Sequence, residues 1–259
     1  MPRRLLALWL ILFVANVSAQ ERRIPRAELR SGLSFASPEI RATQADDFGN
    51  PAMLWVERGV KLWSEPAGVG GRSCASCHQE APASMKGVAA AYPRIDAKSG
   101  RLLDLEGRIN QCRVERQQSV AFRPESDELL GITAYVAMQS RGVPVRVSIE
   151  GPARAHFEAG RTLYYRRMGQ MNLACAHCHE ANWGRKLLAE TISQGHGNPY
   201  PIYRLEWQKM GSLQRRLRSC LIGIRGEPWS YGSMEHLDLA LYLAWRAEGL
   251  PIESPGVRR

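Results

Sequence analysis

The sequence predicts a mainly α-helical chain built as a tandem duplication of one small domain. Two observations carry that prediction. The pattern Cys-x-x-Cys-His occurs twice, at Cys74, Cys77 and His78 and again at Cys175, Cys178 and His179. Around the two copies, other residues recur in register. Glu57-Arg58-Gly59 precedes Cys74 by the same interval as Glu158-Ala159-Gly160 precedes Cys175, and Leu62-Trp63 matches Leu163-Tyr164. After each motif, Ser126-Asp127-Glu128 matches Ser233-Met234-Glu235, Tyr135 matches Tyr242, and Gly142-Val143-Pro144 matches Gly249-Leu250-Pro251. The offset grows slightly along the copy, so the second carries a short insertion.

Read in order, the chain opens on a secretory signal. Arg3 and Arg4 form a charged start, residues 5–14 an apolar core, and Val17-Ser18-Ala19 a small-residue cleavage site. The apolar run falls short of the roughly 20 residues that span a bilayer, so cleavage after residue 19 and a periplasmic location are expected, with no membrane span left afterwards. Residues 20–50 lack clear periodicity and read as an arm that wraps the domain or docks a partner. A first helix is expected over 51–63, with Met53, Val56, Val60 and Trp63 at helical spacing. The first Cys-x-x-Cys-His follows, then a polar stretch bearing Gly and Pro. A last helix starts at the cap candidate Ser126 and stops at Gly-x-Pro. The boundary falls in 145–152, which divides the mature chain into 20–150 and 151–259. The second copy repeats the order, with a helix over 153–165 marked by Phe157, Gly160 and Tyr164, and a last helix capped by Ser233. Gly59 and Gly160 would let each first helix approach its last helix closely, with Tyr135 and Tyr242 on the partner side.

The six cysteines of an exported chain would ordinarily suggest disulfides. Four of them instead sit in a motif that suits covalent haem c. Two thiols add to the porphyrin vinyl groups, and the adjacent histidine reaches the iron. Zinc fits poorly with pairs nearly 100 residues apart. Two haem c groups are therefore expected. Helices around each motif make the two copies resemble class I cytochrome c domains. The formal charge of +10 falls to +8 without Arg3 and Arg4. An exported basic chain meets no nucleic acid, so acidic proteins and small anions are its natural partners.

The second axial position of such an iron is usually filled by Met or His. Here the register singles out Cys112 and Cys220, 23 and 22 residues before Tyr135 and Tyr242, each with an arginine four residues earlier, Arg108 and Arg216. Thiolate ligation of the distal face is the job both could share. A Cys112–Cys220 disulfide is the alternative, and Met85, Met210 and His196 are the competing ligands. His156 and His236 read as packing or surface residues, and His177 is poorly placed to reach iron. Arg215, Arg216 and Arg218 crowd Cys220, which favours its thiolate and offers an oxyanion site. The arginines around Cys112 spread wider, so the second site looks chemical and the first looks like a relay or remnant.

With Cys74–His78, Cys112, Cys175–His179 and Arg216-Leu217-Arg218-Ser219-Cys220 in place, the chain resembles the SoxA family, the dihaem subunits of bacterial SoxAX thiosulfate-oxidising cytochromes. The resemblance spans nearly all of the mature chain. It implies an L-cysteine S-thiosulfotransferase that works with the monohaem cytochrome SoxX. Thiosulfate would be joined oxidatively to a cysteine of SoxY in the SoxYZ carrier, and two electrons would pass to a c-type cytochrome acceptor. It implies Cys220 as axial ligand and catalytic sulfur, modified to a persulfide, with Arg216 binding thiosulfate and Arg218 or Arg215 in support. Cys112 would be the axial ligand opposite His78, and Cys220 the one opposite His179. A plain dihaem electron carrier, a dihaem peroxidase and a redox-partner docking module are the competing classes.

Overall fold

Helix-forming stretches separated by Gly, Pro and polar turns set the order of elements in the computed structural model, which describes residues 24–259. The expected signal segment lies outside the described residues. Helix α1 (Pro38–Ala45) starts on Ser37, whose hydroxyl accepts the Ile40 amide. The first region then runs α2 (Met53–Ser64), α3 (Ala75–His78), α4 (Ala81–Ser84), a hairpin of β1 (Arg94–Ile95) and β2 (Leu102–Leu103), α5 (Leu105–Glu115) and α6 (Asp127–Met138). The second runs α7 (Ala153–Tyr165), α8 (Cys175–His179), the hairpin of β3 (Lys186–Leu187) and β4 (Glu190–Thr191), then β5 (Ile202–Arg204) and β6 (Lys209–Gly211), α9 (Leu213–Gly223) and α10 (Met234–Arg246). A last strand, β7 (Gly256–Arg258), pairs parallel with β5, which pairs antiparallel with β6. Each region therefore has a leading helix, a motif helix, a hairpin, a cysteine-bearing helix and a closing helix.

The two close helix crossings follow from glycine. A Cβ on Gly59 would stand 2.2 Å from the Gly131 carbonyl and 2.6 Å from Tyr135 Cβ. One on Gly160 would stand 2.0 Å from the Asp238 carbonyl and 3.0 Å from Tyr242 Cβ. Both glycines thus set the approach of α2 to α6 and of α7 to α10, with the two tyrosines opposite them. On α2 the buried face is Val56, Gly59 and Trp63, while the expected Val60 turns outward. On α7 it is Ala153, Phe157, Gly160, Leu163 and Tyr164. Ser126 caps α6 through the Leu129 amide. Ser233 occupies the matching position on α10, but its hydroxyl takes no helix amide. Both closing helices are buried almost all round, because each packs on its own leading helix and toward the other region.

The regions are tied together after those helices. Val145 donates to the Leu250 carbonyl at 2.8 Å, and Ile252 to the Val143 carbonyl at 2.9 Å, so the two Gly-x-Pro segments pair. Beside them a cavity of about 110 Å³ is lined by matching residues of both regions, among them Tyr92 and Tyr200, Leu105 and Leu213, and Glu106 and Gln214. Residues 24–50, grouped with the first copy by the sequence, cross to the second. Gln44 Oε1 accepts the Val257 amide at 2.9 Å, and Asn50 Nδ2 donates to the Pro255 carbonyl at 3.1 Å. The arm bonds to the C-terminal segment, to Gln194 and, through Asp47, to Arg141 of the first region.

Candidate functional site

In the second region, α7 delivers the chain to α8, and α8 puts Cys175, Cys178 and His179 on one short helix. His179 is partly buried, and its Nδ1–H donates to the Ser193 carbonyl at 2.7 Å. That bond fixes the tautomer and leaves Nε2 free to bind a metal. Burial lowers the His179 pKa to about 4, so the ring is neutral. Burial raises the Cys175 thiol to about 11, and Cys220 adds to the rise; the same two causes raise Cys178. Cys220 therefore faces both motif cysteines from α9. It is exposed, whereas Cys175 is mostly covered.

Ser212 caps α9 through the Arg215 amide, which sets the helix phase. Arg216 and Cys220 then fall one turn apart on one face. Burial opposes the charge of Arg216, but Cys220 and Tyr200 beside it outweigh that and raise its pKa. Among the described residues no carboxylate stands within ion-pair distance of Arg216. The neighbouring arginines are committed elsewhere. Arg215 lies 4.3 Å over the Trp207 ring and 3.9 Å from Glu125. Arg218, expected at the anion site, donates to the carbonyls of Trp229 and Pro228 and lies 4.7 Å over the Tyr231 ring. It stands two residues from Cys220, about 200° around the helix, so it serves the 228–231 loop instead.

The first region brings Cys112 on α5 to its own motif. Burial raises the Cys74 thiol, and Cys112 adds to that; burial likewise raises Cys112, with Cys77 contributing. Cys112 and Cys220 thus each lie near the motif of their own region, and none of the six cysteines is in a disulfide. The Cys112–Cys220 disulfide, the alternative to thiolate ligation, does not form. His78 lies beside Trp63, ring centroids 6.0 Å apart. Arg108, the match of Arg216, donates to Asp96 at 2.8 Å and to Gln111 at 2.7 Å. The residue matching Asp96 in the second region is Arg204, buried and beside Trp207. Arg204 pairs with Glu206 at 3.3 Å, and Glu206 and Glu190 act on Arg216 only from beyond ion-pair distance, so Arg108 has a carboxylate partner and Arg216 does not.

Of the competing ligands, Met85 packs with Trp63, Ile132 and Val136, in a cluster that Cys74 of the motif also touches. Met210 is fully buried against Ala52, Val56 and Leu130, in a cluster that holds no motif cysteine. His196 is buried on the His179 side, 3.2 Å from Gln194 Oε1. His156 pairs with Asp238 at 2.7 Å, His236 donates to the Ser230 carbonyl, and His177 accepts the Ala174 amide. Sequence reasoning passed over Asp96, Gln194 and Arg246. The repeated Tyr92-Pro93 and Tyr200-Pro201 pairs were a signal that could have extended the register to Asp96. The residues present fit covalent haem c: each region brings two motif thiols and the adjacent histidine near one further cysteine, and in the second region His179 keeps Nε2 free.

A family model described as SoxA/TsdA, cytochrome c domain, matches residues 58–145 and 159–252. The chain is 41% identical to the L-cysteine S-thiosulfotransferase subunit SoxA of Pseudaminobacter salicylatoxidans, over 96% of this chain and 87% of that one. It is also 41% identical to the protein of that name from Paracoccus pantotrophus, over 88% of this chain and 78% of the relative. The crystal structure of SoxXA from P. pantotrophus superposes with a TM-score of 0.86 at 40% identity, covering 89% of this chain and 87% of that chain.

Proposed function

Because the chain belongs to the SoxA/TsdA cytochrome c family, we propose that it is the L-cysteine S-thiosulfotransferase subunit that joins thiosulfate to a carrier cysteine, working at the second of two haem sites. One haem c would be held by Cys74, Cys77, His78 and Cys112, and the other by Cys175, Cys178, His179 and Cys220. The two regions read as a tandem duplication, 20–150 and 151–259, behind a signal over residues 1–19, and the mature protein works in the periplasm with a SoxX-type monohaem partner.

The net reaction joins the outer sulfur of thiosulfate to the sulfur of a SoxY cysteine in SoxYZ. One S–S bond forms, the carrier thiol loses its proton, and two electrons leave for a c-type cytochrome. Bound haem supplies the one-electron acceptor that such chemistry needs. The chain's own residues do the rest. Arg216 holds the dianion with a planar pair of N–H groups. Cys220, a turn away and exposed, presents a sulfur to the anion and carries the extra sulfur of a persulfide between turnovers. Partly buried Tyr200 lies beside Arg216.

The observation that carries the reading is the uncommitted Arg216 beside exposed Cys220, set against the Arg108–Asp96 pair at the first site. A plain electron carrier has no use for that difference. The test is Cys220→Ser in the purified complex with SoxX, SoxYZ and thiosulfate, followed by the intact mass of SoxY. The expected outcome is no thiosulfate adduct with both haems still attached. Full adduct formation would overturn the assignment.

A further inference from the structure

The loop 193–195 carries more contacts than a connection needs. Gln194 is fully buried. Its Oε1 accepts the Arg30 amide at 2.8 Å, and its Nε2 donates to the Glu28 carbonyl at 2.7 Å. Both ends of one side-chain amide are thus held by the backbone of the N-terminal arm. The Gln194 carbonyl accepts from Arg246 Nη1 at 3.0 Å. Arg246, 2% exposed, lies 3.4 Å from Glu180 and 4.4 Å over the Tyr164 ring. Glu180 in turn accepts the Tyr165 hydroxyl at 2.9 Å.

The residues flanking Gln194 hold His179 itself. Ser193 provides the carbonyl that takes the Nδ1–H. Gly195 presses on the ring, since a Cβ there would come 2.8 Å from its Cγ. The arm and Arg246 therefore fix the loop, and the loop fixes the imidazole. The first region has no arm on its matching loop, whose Met85 carbonyl is met at 3.5 Å by the Ser140 hydroxyl instead. Lys86 stands where Gln194 stands and is exposed, and Gln139 replaces Arg246 and bonds its own helix at the Tyr135 carbonyl.

We propose that Gln194 is a positioning residue for the second site, and that the arm around Glu28–Arg30, on the far side of the fold from its own region, is part of that site through it. The proposal rests on the reading of His179 as an iron ligand. A firmly seated Ser193 carbonyl strengthens the Nδ1–H bond and makes Nε2 a better donor, which favours the oxidised metal. Loosening the clamp weakens that donor. The second haem's reduction potential then rises, while the first, which has no clamp, stays put as an internal reference.

The experiment uses the full chain in complex with its monohaem partner. Gln194→Ala removes the keystone, and Arg30→Pro removes the amide hydrogen that Gln194 accepts, with Arg30→Ala as the control for the lost side chain. Gln194→Glu keeps the acceptor for Arg30 and loses the donor to Glu28. Intact mass establishes that both haems are attached, and redox titration followed by low-temperature paramagnetic spectra reads each haem, each signal assigned by a variant in its own distal cysteine. The expected result is an upward shift of the second haem alone in Gln194→Ala and Arg30→Pro, with a smaller one in Gln194→Glu. No shift in the first two variants, or an equal shift of both haems, overturns the proposal. Failure of wild-type thiosulfate conjugation would instead overturn the proposed reaction and leave the clamp standing.

Discussion

Arg108 and Asp96 form a 2.8 Å ion pair in the first region, and the positions that match them in the second are Arg216 and Arg204. The exchange removes the carboxylate that closes on Arg108, and the acidic residue two positions on, Glu206, pairs with Arg204 at 3.3 Å rather than with Arg216. Hydrogen bonds from Ser99 and Gln111, with Arg108 as a smaller cause, hold the Asp96 carboxyl well below its ordinary range, so it stays charged beside Arg108. The two sites share a scaffold and differ in whether an anion from outside has a partner waiting.

Arg216→Ala removes that partner. Each charge-assisted hydrogen bond contributes about 1.5–3 kcal/mol, so kcat/KM for thiosulfate conjugation should fall on the order of 100-fold. Arg216→Lys keeps the charge and loses the planar pair of donors, and should fall in between. Steady-state kinetics with SoxYZ reads both. An unchanged kcat/KM in Arg216→Ala would remove arginine from the site.

Arg204→Asp should rebuild the first site's arrangement in the second. The new carboxylate takes up Arg216, and thiosulfate must then compete with it. The KM for thiosulfate should rise by about tenfold or more, with both haems retained. A KM equal to wild type would mean that position 204 does not face Arg216 as Asp96 faces Arg108.

Arg218→Ala separates packing from binding. The side chain holds the Trp229 carbonyl and covers Tyr231, so its loss should cost about 1–2 kcal/mol and lower Tm by roughly 2–6 °C. The thiosulfate KM should not move. A raised KM with unchanged Tm would restore Arg218 to the anion site.

Much of this architecture is readable before any coordinates. Gly59 and Gly160, spaced alike from their motifs and paired with Tyr135 and Tyr242, specify both helix crossings, because a close crossing needs a missing Cβ at one place. Cys112 and Cys220 emerge from the same register. What local pattern does not carry is long-range. Arg218 sits in the same arginine run as Arg216, and only the 228–231 loop, folded back from further along the chain, turns it away. Val60 has helical spacing, but the crossing glycine sets the α2 face one residue off. The arm's attachment to Gln194 joins residues 164 positions apart and leaves no periodicity in either segment.

Gly160→Ala tests the crossing. A methyl group there meets the Asp238 carbonyl, and neither backbone can retreat without opening the Phe157–Tyr242 core. Overpacking of this kind costs about 1–3 kcal/mol or more, so Tm should fall by roughly 5 °C or more, and Gly59→Ala should act likewise in the first region. Gly223→Ala is the control, since nothing lies within 4 Å of its added carbon. Equal Tm values for Gly160→Ala and Gly223→Ala would show that the helices can shift apart freely.

Glu106 gives the fold a pH dependence. It lines the cavity between the regions, where burial, then Asp104 and Glu125, raise its pKa well above the ordinary 4.5. Burial raises Asp104 and Glu125 as well, against the Gly107 amide on Asp104 and Ser212 on Glu125, with Arg215 and Lys209 facing Glu125. The folded state thus holds a proton on Glu106 that the unfolded chain releases near 4.5. Its contribution is fully present below that pH, and stability falls as pH rises from there through the folded pKa. Glu106→Gln keeps the shape and removes the charge. Chemical denaturation at about pH 5 and about pH 8 should show the wild type losing more stability than the variant, which should be the more stable of the two at the higher pH. Parallel losses in the two proteins would mean that this carboxyl does not control the interface between the regions.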